Sequence, residues 1–364
     1  MTEEVKKNRI FVATAGSGKT WSLMNEALAR PDSKILITTY TDANAAEIKK
    51  RFFEEHGCIP PNVTIMGWFA FLLEHGVRPY QGTLANKRIG ELHFNQGVSA
   101  LYTAEVTLGH YLDADGKIYR DKVSKFVCKC NDLSNGRVIA RIAGIFDEVF
   151  VDEVQDIAGH DLEFVELLMD SSVQVLLVGD PRQGTYSTND SPKYAKFKKA
   201  GIVDYFRLLV KRRSDTLLDE TSLVVNRRCH QALCDLSDAL FPHFSRSTSL
   251  SAKTTEHDGI FLVHESAIDA YLQVMKPMQL RYSRSTSISD KVAAMNFGES
   301  KGLTFDRVLI YPTKDFVKWL RDRTVKLSPD VRAKSYVALT RARFSAGIVV
   351  GSKVNLPGVD VWQP

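Results

Sequence analysis

Residues 10–30 constrain this chain more than any other stretch. Ile10-Phe11-Val12 is a short apolar run of the buried-strand kind, Ala13-Thr14-Ala15-Gly16-Ser17-Gly18-Lys19-Thr20 follows directly, and Leu23, Ala27 and Leu28 then recur at helical spacing. The order is strand, Gly-rich loop, helix. It meets the phosphate-loop pattern G-x-x-x-x-G-K-S/T, except that Ala13 stands at the first Gly. Gly16 and Gly18 let successive backbone N–H groups of the Ala15, Gly16, Ser17 and Gly18 segment turn toward a triphosphate, and the helix N-terminus adds its partial positive charge. Lys19 is expected on the β- and γ-phosphates and the Thr20 hydroxyl on Mg²⁺. The bland alternative is an ordinary strand-turn-helix of small residues; the strand before, the helix after and the unbroken run of small or polar residues favour phosphate binding.

The alternation continues. Residues 34–40 form a continuous apolar run, as in a strand buried on both faces. Thr41 or Asp42 can cap a helix over residues 43–55 that stops at Gly57, and a strand at 62–66 and a helix at 67–74 follow. Strands alternating with helices argue an α/β fold with a parallel sheet. Between 75 and 140 the pattern becomes short, polar pieces, with a turn at Asp113-Ala114-Asp115-Gly116, and reads as an insertion. The rhythm returns in strands at 147–153 and 173–180, both ending in carboxylates. Ligands of parallel sheets sit at the carboxyl ends of strands, so Asp152 is expected to hold Mg²⁺ and Glu153 to polarise the attacking water. Asp180 and Gln183 are placed to sense the γ-phosphate. Paired carboxylates after a strand are often only a solvated turn; beside a phosphate loop the catalytic reading prevails.

Residues 193–213 carry Lys193, Lys196, Lys198, Lys199, Lys211, Arg212 and Arg213, a run that is either a solvated face or a phosphate-backbone contact. Polarity peaks at 213–220, and a second α/β series opens at Thr221-Ser222-Leu223-Val224-Val225. It comprises a helix at 229–240, a Ser/Thr-rich link at 245–255, strands at 259–264, 278–282, 292–297, 307–311 and 346–351, and a helix at 329–342. The expected organisation is a first domain of residues 1–75 and 141–215 with 76–140 inserted, and a second of 216–364, with a ligand held between two sheets of similar size.

With 364 residues, 44% hydrophobic and 25% charged, the chain has globular composition and ample core, and its net charge of +5 is compatible with a polyanionic partner. Five scattered cysteines, charges in residues 1–9 where a leader needs an apolar core, and no apolar run near the ~20 residues of a membrane span point to a cytoplasmic protein without a membrane partner. Cys128-Lys129-Cys130 lacks a second pair at zinc-site spacing, and the histidines form no readable cluster.

The motif order resembles that of the superfamily 1 DNA helicases of the UvrD/Rep type, over nearly the whole chain. Residues 14–20 resemble motif I, 39–44 motif Ia, Val151-Asp152-Glu153-Val154-Gln155-Asp156 motif II and Gly179 to Tyr186 motif III; Asn226-Arg227-Arg228 resembles motif IV, Gly298 to Phe305 motif V and Tyr336 to Ala342 motif VI. The resemblance implies two RecA-like P-loop domains with a small inserted subdomain in the first, closing on ATP and Mg²⁺ to step 3′ to 5′ along single-stranded or partly duplex DNA. It implies arginine fingers at Arg228 and Arg341, nucleotide contacts from Arg227 and Gly302, and nucleic-acid contacts from Thr39, Tyr40, Thr64 and Tyr186; Trp68 is assigned to the core. The sequence departs from the family in having no glutamine motif upstream of the phosphate loop, Arg227 in place of the stacking aromatic of motif IV, no tryptophan after motif III, and too little chain between motifs IV and V for a 2B domain. The first reading is therefore a DNA-stimulated ATPase and translocase. The alternative is a nucleic-acid-sensing ATPase subunit that controls a partner nuclease or effector, as in a phage-defence system.

Overall fold

The computed structural model describes residues 8–95, 97–251, 254–351, 356 and 359–364; the charged N-terminal residues 1–7 and part of the Ser/Thr-rich link lie outside them. The chain forms two units by contact: one takes in β1 (Asn8–Val12) with Lys19–Pro181 and Ser187–Asp219, the other Ala13–Gly18, Arg182–Tyr186 and Glu220–Pro364.

The first unit is built from α1 (Lys19–Leu28), β2 (Ile35–Thr39), α2 (Asp42–His56), β3 (Val63–Gly67) and α3 (Trp68–Phe71), which widens into a π-helical stretch at Leu72–Val77 before the turn α4 (Arg78–Tyr80). The two-residue strands β4 (Leu92–His93) and β5 (Ile118–Tyr119), then α5 (Val123–Leu133) and α6 (Arg137–Ala143), precede β6 (Glu148–Val151), α7 (His160–Met169), β7 (Gln174–Gly179), α8 (Ile202–Arg212) and β8 (Thr216–Asp219). The sheet order is β3-β2-β6-β7-β1-β8, every pair parallel. β2 and β6 are buried at every position, as the continuous apolar runs require of strands covered on both faces. Thr41 caps α2 by accepting from the Asn44 N–H, and Gly57 ends it.

Two expectations shift. β8, on residues assigned to the second domain, is the edge strand of the first sheet. The inserted segment ends not in loop pieces but in α5, whose Val123, Phe126, Val127 and Cys130 are buried at i, i+3, i+4 and i+7. Ser124 on the same helix donates to Asp161 of α7 at 2.6 Å, so this part of the insertion belongs to the first unit's core. Trp68 is fully buried and donates its indole N–H to the same carboxylate at 2.8 Å. Burial pushes the Asp161 carboxyl above its ordinary range, and the hydrogen bonds from Ser124, Thr188 and Trp68 work against that.

The second unit runs β9 (Val225–Asn226), α9 (Gln231–Ala239), β10 (Thr248–Ser249), β11 (Gly259–His264), α10 (Ile268–Met275), β12 (Met278–Arg281), β13 (Ala294–Asn296), β14 (Phe305–Tyr311), α11 (Lys314–Arg321), α12 (Pro329–Leu339), β15 (Ala342–Val350) and β16 (Asp360–Val361). Its sheet is again six-stranded and parallel, in the order β13-β12-β14-β15-β11-β16. β9 and β10 form a separate parallel pair, which draws part of the Ser/Thr-rich link into a strand. Val263, Tyr271, Leu272, Leu309, Tyr311, Val349 and Trp362 pack as one core cluster on this sheet. The architecture is α/β with two RecA-like sheets, as expected. Among the described residues no helix is long and apolar enough to cross a membrane.

Candidate active site

In the first unit the catalytic candidates gather where β6 and β7 end. Asp152 leaves β6 with its N–H on the Thr38 carbonyl, 2.8 Å away, and is 4% exposed. Glu153 follows with φ +55, a left-handed backbone that its own N–H supports by donating to the Asp152 carboxylate at 2.9 Å. That backbone turns the Glu153 side chain to within 3.4 Å of Lys19 Nζ, at the start of α1. Gln155 donates its amide N–H to the other Glu153 oxygen, and its Oε1 accepts from the Asp180 N–H at 3.1 Å. Asp180, directly after β7, is fully buried.

The loop Ala13–Gly18 groups with the second unit. The Arg227 N–H donates to the Gly16 carbonyl at 2.9 Å, and the Tyr336 hydroxyl accepts from the Ala15 N–H at 3.3 Å. Gly16 has φ +72, and a Cβ there would lie 2.6 Å from Asn226 Oδ1 and 2.9 Å from the Arg228 Cβ, so only glycine fits. Asn226 Oδ1 in turn accepts the N–H groups of Arg228 and Cys229 at 2.8 and 2.9 Å, fixing the turn that carries Arg228. The Ser17 hydroxyl is buried without a protein partner among the described residues. Arg341, 1% exposed, donates to the carbonyls of Val337 and Leu303 at 3.1 Å each and to Gln183 Oε1 at 3.3 Å. Arg228 donates to the Thr340 carbonyl at 3.2 Å, beside it. Gly302, φ +88, precedes Leu303 in open space, and Arg227 is exposed.

The structure thus brings Lys19, Asp152 and Glu153 together in one unit, and Ala15, Gly16, Arg228, Gln183 and Arg341 in the other. Thr20 lies on the first turn of α1, partly buried. Of the nucleic-acid candidates, Thr39, Tyr40 and Thr64 lie on or beside the paired strands β2 and β3 of the first unit, and Tyr186 belongs to the second. Thr39 is buried at the end of β2 and Thr64 half-buried within β3, while Tyr40 packs edge-on against Phe69 with ring centroids 6.0 Å apart. Burial raises the Tyr40 phenol above its ordinary range, and Arg120, 3.4 Å from the hydroxyl, offsets part of that. Tyr186 is 41% exposed, with Lys301 Nζ 6.0 Å from its ring centroid. Sequence reasoning assigned no role to Gln155, Asn226 or Tyr336, although each lies inside a quoted motif; the signal was there in their polar side chains flanking the assigned residues.

Comparison with protein families matches residues 121–350 to the viral superfamily 1 RNA helicase core domain, and residues 2–189 to an AAA domain. Comparison with curated proteins finds no match. Among solved structures the chain is similar to the PRRSV helicase, at 17% identity and a TM-score of 0.45, covering 97% of this chain and 55% of that one. It is also similar to the helicase nonstructural protein 10 of an arterivirus, at 16% identity and a TM-score of 0.47, covering 94% and 59%. The same arterivirus helicase has been solved with DNA, and there the match covers 60% of that chain. The chain therefore spans a little over half the length of these helicases.

Proposed function

Because the chain belongs to the viral superfamily 1 RNA helicase core domain family, which is built on NTP hydrolysis, we propose that it hydrolyses ATP with Mg²⁺ and couples turnover to movement along single-stranded nucleic acid. The observation that carries this reading is the 3.4 Å approach of Lys19 to Glu153 beside the buried Asp152, at the carboxyl ends of parallel strands. Glu153 accepts the proton of the attacking water as the water's oxygen bonds to the γ-phosphorus and the bond from that phosphorus to the β–γ bridging oxygen breaks, releasing ADP and phosphate. Gln155 holds the Glu153 carboxylate in place. Lys19 exchanges its contact with Glu153 for the phosphate oxygens when nucleotide binds, which releases the base at that moment.

The Thr20 hydroxyl and the Asp152 carboxylate are hard oxygen donors of the kind Mg²⁺ takes, and the unpartnered Ser17 hydroxyl suits a phosphate oxygen. Bound there, Mg²⁺ supplies neutralisation of phosphate charge. Arg228 and Arg341 stabilise charge on the transferring group, and Gln183 ties Arg341 to the state of the γ-phosphate. The resemblance of the motif order to the UvrD/Rep type favours DNA as the track and 3′ to 5′ as the direction. The five cysteines are thiols, four of them buried, which supports a reducing cytoplasmic setting.

The test is steady-state ATP hydrolysis by the full chain, alone and with single-stranded DNA or RNA, for wild type and Glu153→Gln. We expect stimulation by single strands and a kcat about 10²–10⁴-fold lower in the variant, with nucleotide binding retained. Displacement of streptavidin from the 5′ but not the 3′ end of a biotinylated DNA strand is expected for 3′ to 5′ movement. Unchanged hydrolysis in Glu153→Gln overturns the catalytic assignment, and the opposite displacement overturns the direction.

A further inference from the structure

Within residues 193–213 two groups of cations have different surroundings. Lys193 closes onto Glu163 of α7 at 2.6 Å, Arg212 lies 3.6 Å from Glu166, and Arg213 pairs with Asp170. These three cations clasp α8 and its approach loop to α7 and are internally neutralised. Lys196, Arg207 and Lys211 instead line a shallow groove with Phe197, Asp204 and Leu208. Arg207 and Lys211 stand four residues apart on one face of α8, about 6 Å along its axis. All three cations are exposed, and Asp204 is the acid among the described residues that line the groove.

Lys196 is held by a built loop. Tyr194 and Lys199 on either side have φ +60 and +59, conformations that non-glycine residues keep only where their surroundings impose them. Tyr194 packs on Tyr205 with centroids 5.6 Å apart, and a Cβ on Gly201 would lie 2.5 Å from the Lys196 carbonyl oxygen. Arg207 and Asp204 approach to 3.5 Å as an exposed pair, a kind of contact worth little in water. Among the described lining residues the aromatic is Phe197, which is buried with Lys196 Nζ 4.8 Å from its ring centroid, so the groove offers charge and aliphatic surface but no stacking platform. That is the chemistry of backbone contact and not of base contact.

We propose that Lys196, Arg207 and Lys211 form a binding site for the phosphodiester backbone of nucleic acid, outside the motifs that carry nucleotide hydrolysis. The inference rests on the nucleic-acid reading above. Its test is fluorescence anisotropy of a labelled oligonucleotide titrated with the full chain over a series of salt concentrations. For K196Q/R207Q/K211Q the slope of log K against log salt is expected to shrink by about 2 to 3, at 0.7–0.9 per lost phosphate contact, and for Lys211→Gln alone by about 1. Lys193→Gln, from the same run but outside the groove, keeps the wild-type slope, and unstimulated ATP hydrolysis is unchanged in all three.

A triple variant with the wild-type slope overturns this site and leaves the function above intact, whereas a wild type that binds no oligonucleotide overturns both. Loss of binding to phosphatidylglycerol vesicles with oligonucleotide binding intact assigns the groove to a lipid surface and also overturns the proposal.

Discussion

Gln155 spans two strand ends because residue 179 has no side chain. A Cβ on Gly179 would lie 2.2 Å from Gln155 Oε1 and 2.9 Å from a Val154 methyl, so an alanine there pushes the 154–156 turn away from β7. We expect Gly179→Ala to fold, to bind nucleotide and to lose about 10²-fold in kcat, since a displacement near 1 Å at a catalytic group costs that much. Steady-state kinetics with a thermal melt separates this from unfolding; a variant with wild-type kcat removes Gln155 from the mechanism. Lys19, Asp152 and Glu153 were legible because loop and strand-end chemistry sits in contiguous residues. The contact of Gln155 with Asp180 was not, because it joins residues 25 positions apart that only the sheet order brings together.

At the start of α7, Glu163 accepts from His160 at 2.7 Å and from Lys193 at 2.6 Å. The His160 hydrogen bond and the Lys193 charge, against the opposing effect of burial, bring its carboxyl down to about 2. A carboxyl lowered on folding stabilises the native state above its ordinary value near 4.5, and that contribution fades as pH falls toward about 2. Melting temperature is therefore expected to drop through that acid window in wild type and to drop less in Glu163→Gln; equal slopes in thermal melts across the window refute the pairing. The same scale shows what periodicity could and could not reveal. The α2 boundaries followed from Thr41 and Gly57, and α5 carried a visible 3.6-residue pattern hidden by its polar surroundings. Thr248–Ser249 pairs with Val225–Asn226 in spite of a composition that reads as loop, because the partner strand and not the local sequence supplies the hydrogen bonds.

Both sheets are wholly parallel, and strands buried on both faces exchange their amides only when their unit opens. Hydrogen exchange is expected to be slowest in β2, β6 and β7 of the first unit and in β14 and β15 of the second, and fast in β3 and β13 at the edges. Comparable exchange at centre and edge contradicts the strand orders. The two-sheet α/β class was legible because apolar runs alternate with helical patterns over the whole chain, whereas strand order was not, since parallel neighbours are set by crossovers. β1 shows what that entails for the ribosome. Its Arg9 pairs with Leu176 on one side and Leu217 on the other, so the first strand of this sheet in chain order waits for the last two. At 5–20 residues per second that is a delay of roughly ten to forty seconds. For that time the nascent chain carries Ile10-Phe11-Val12 without its strand partners, and a product that stops before β7 never supplies them.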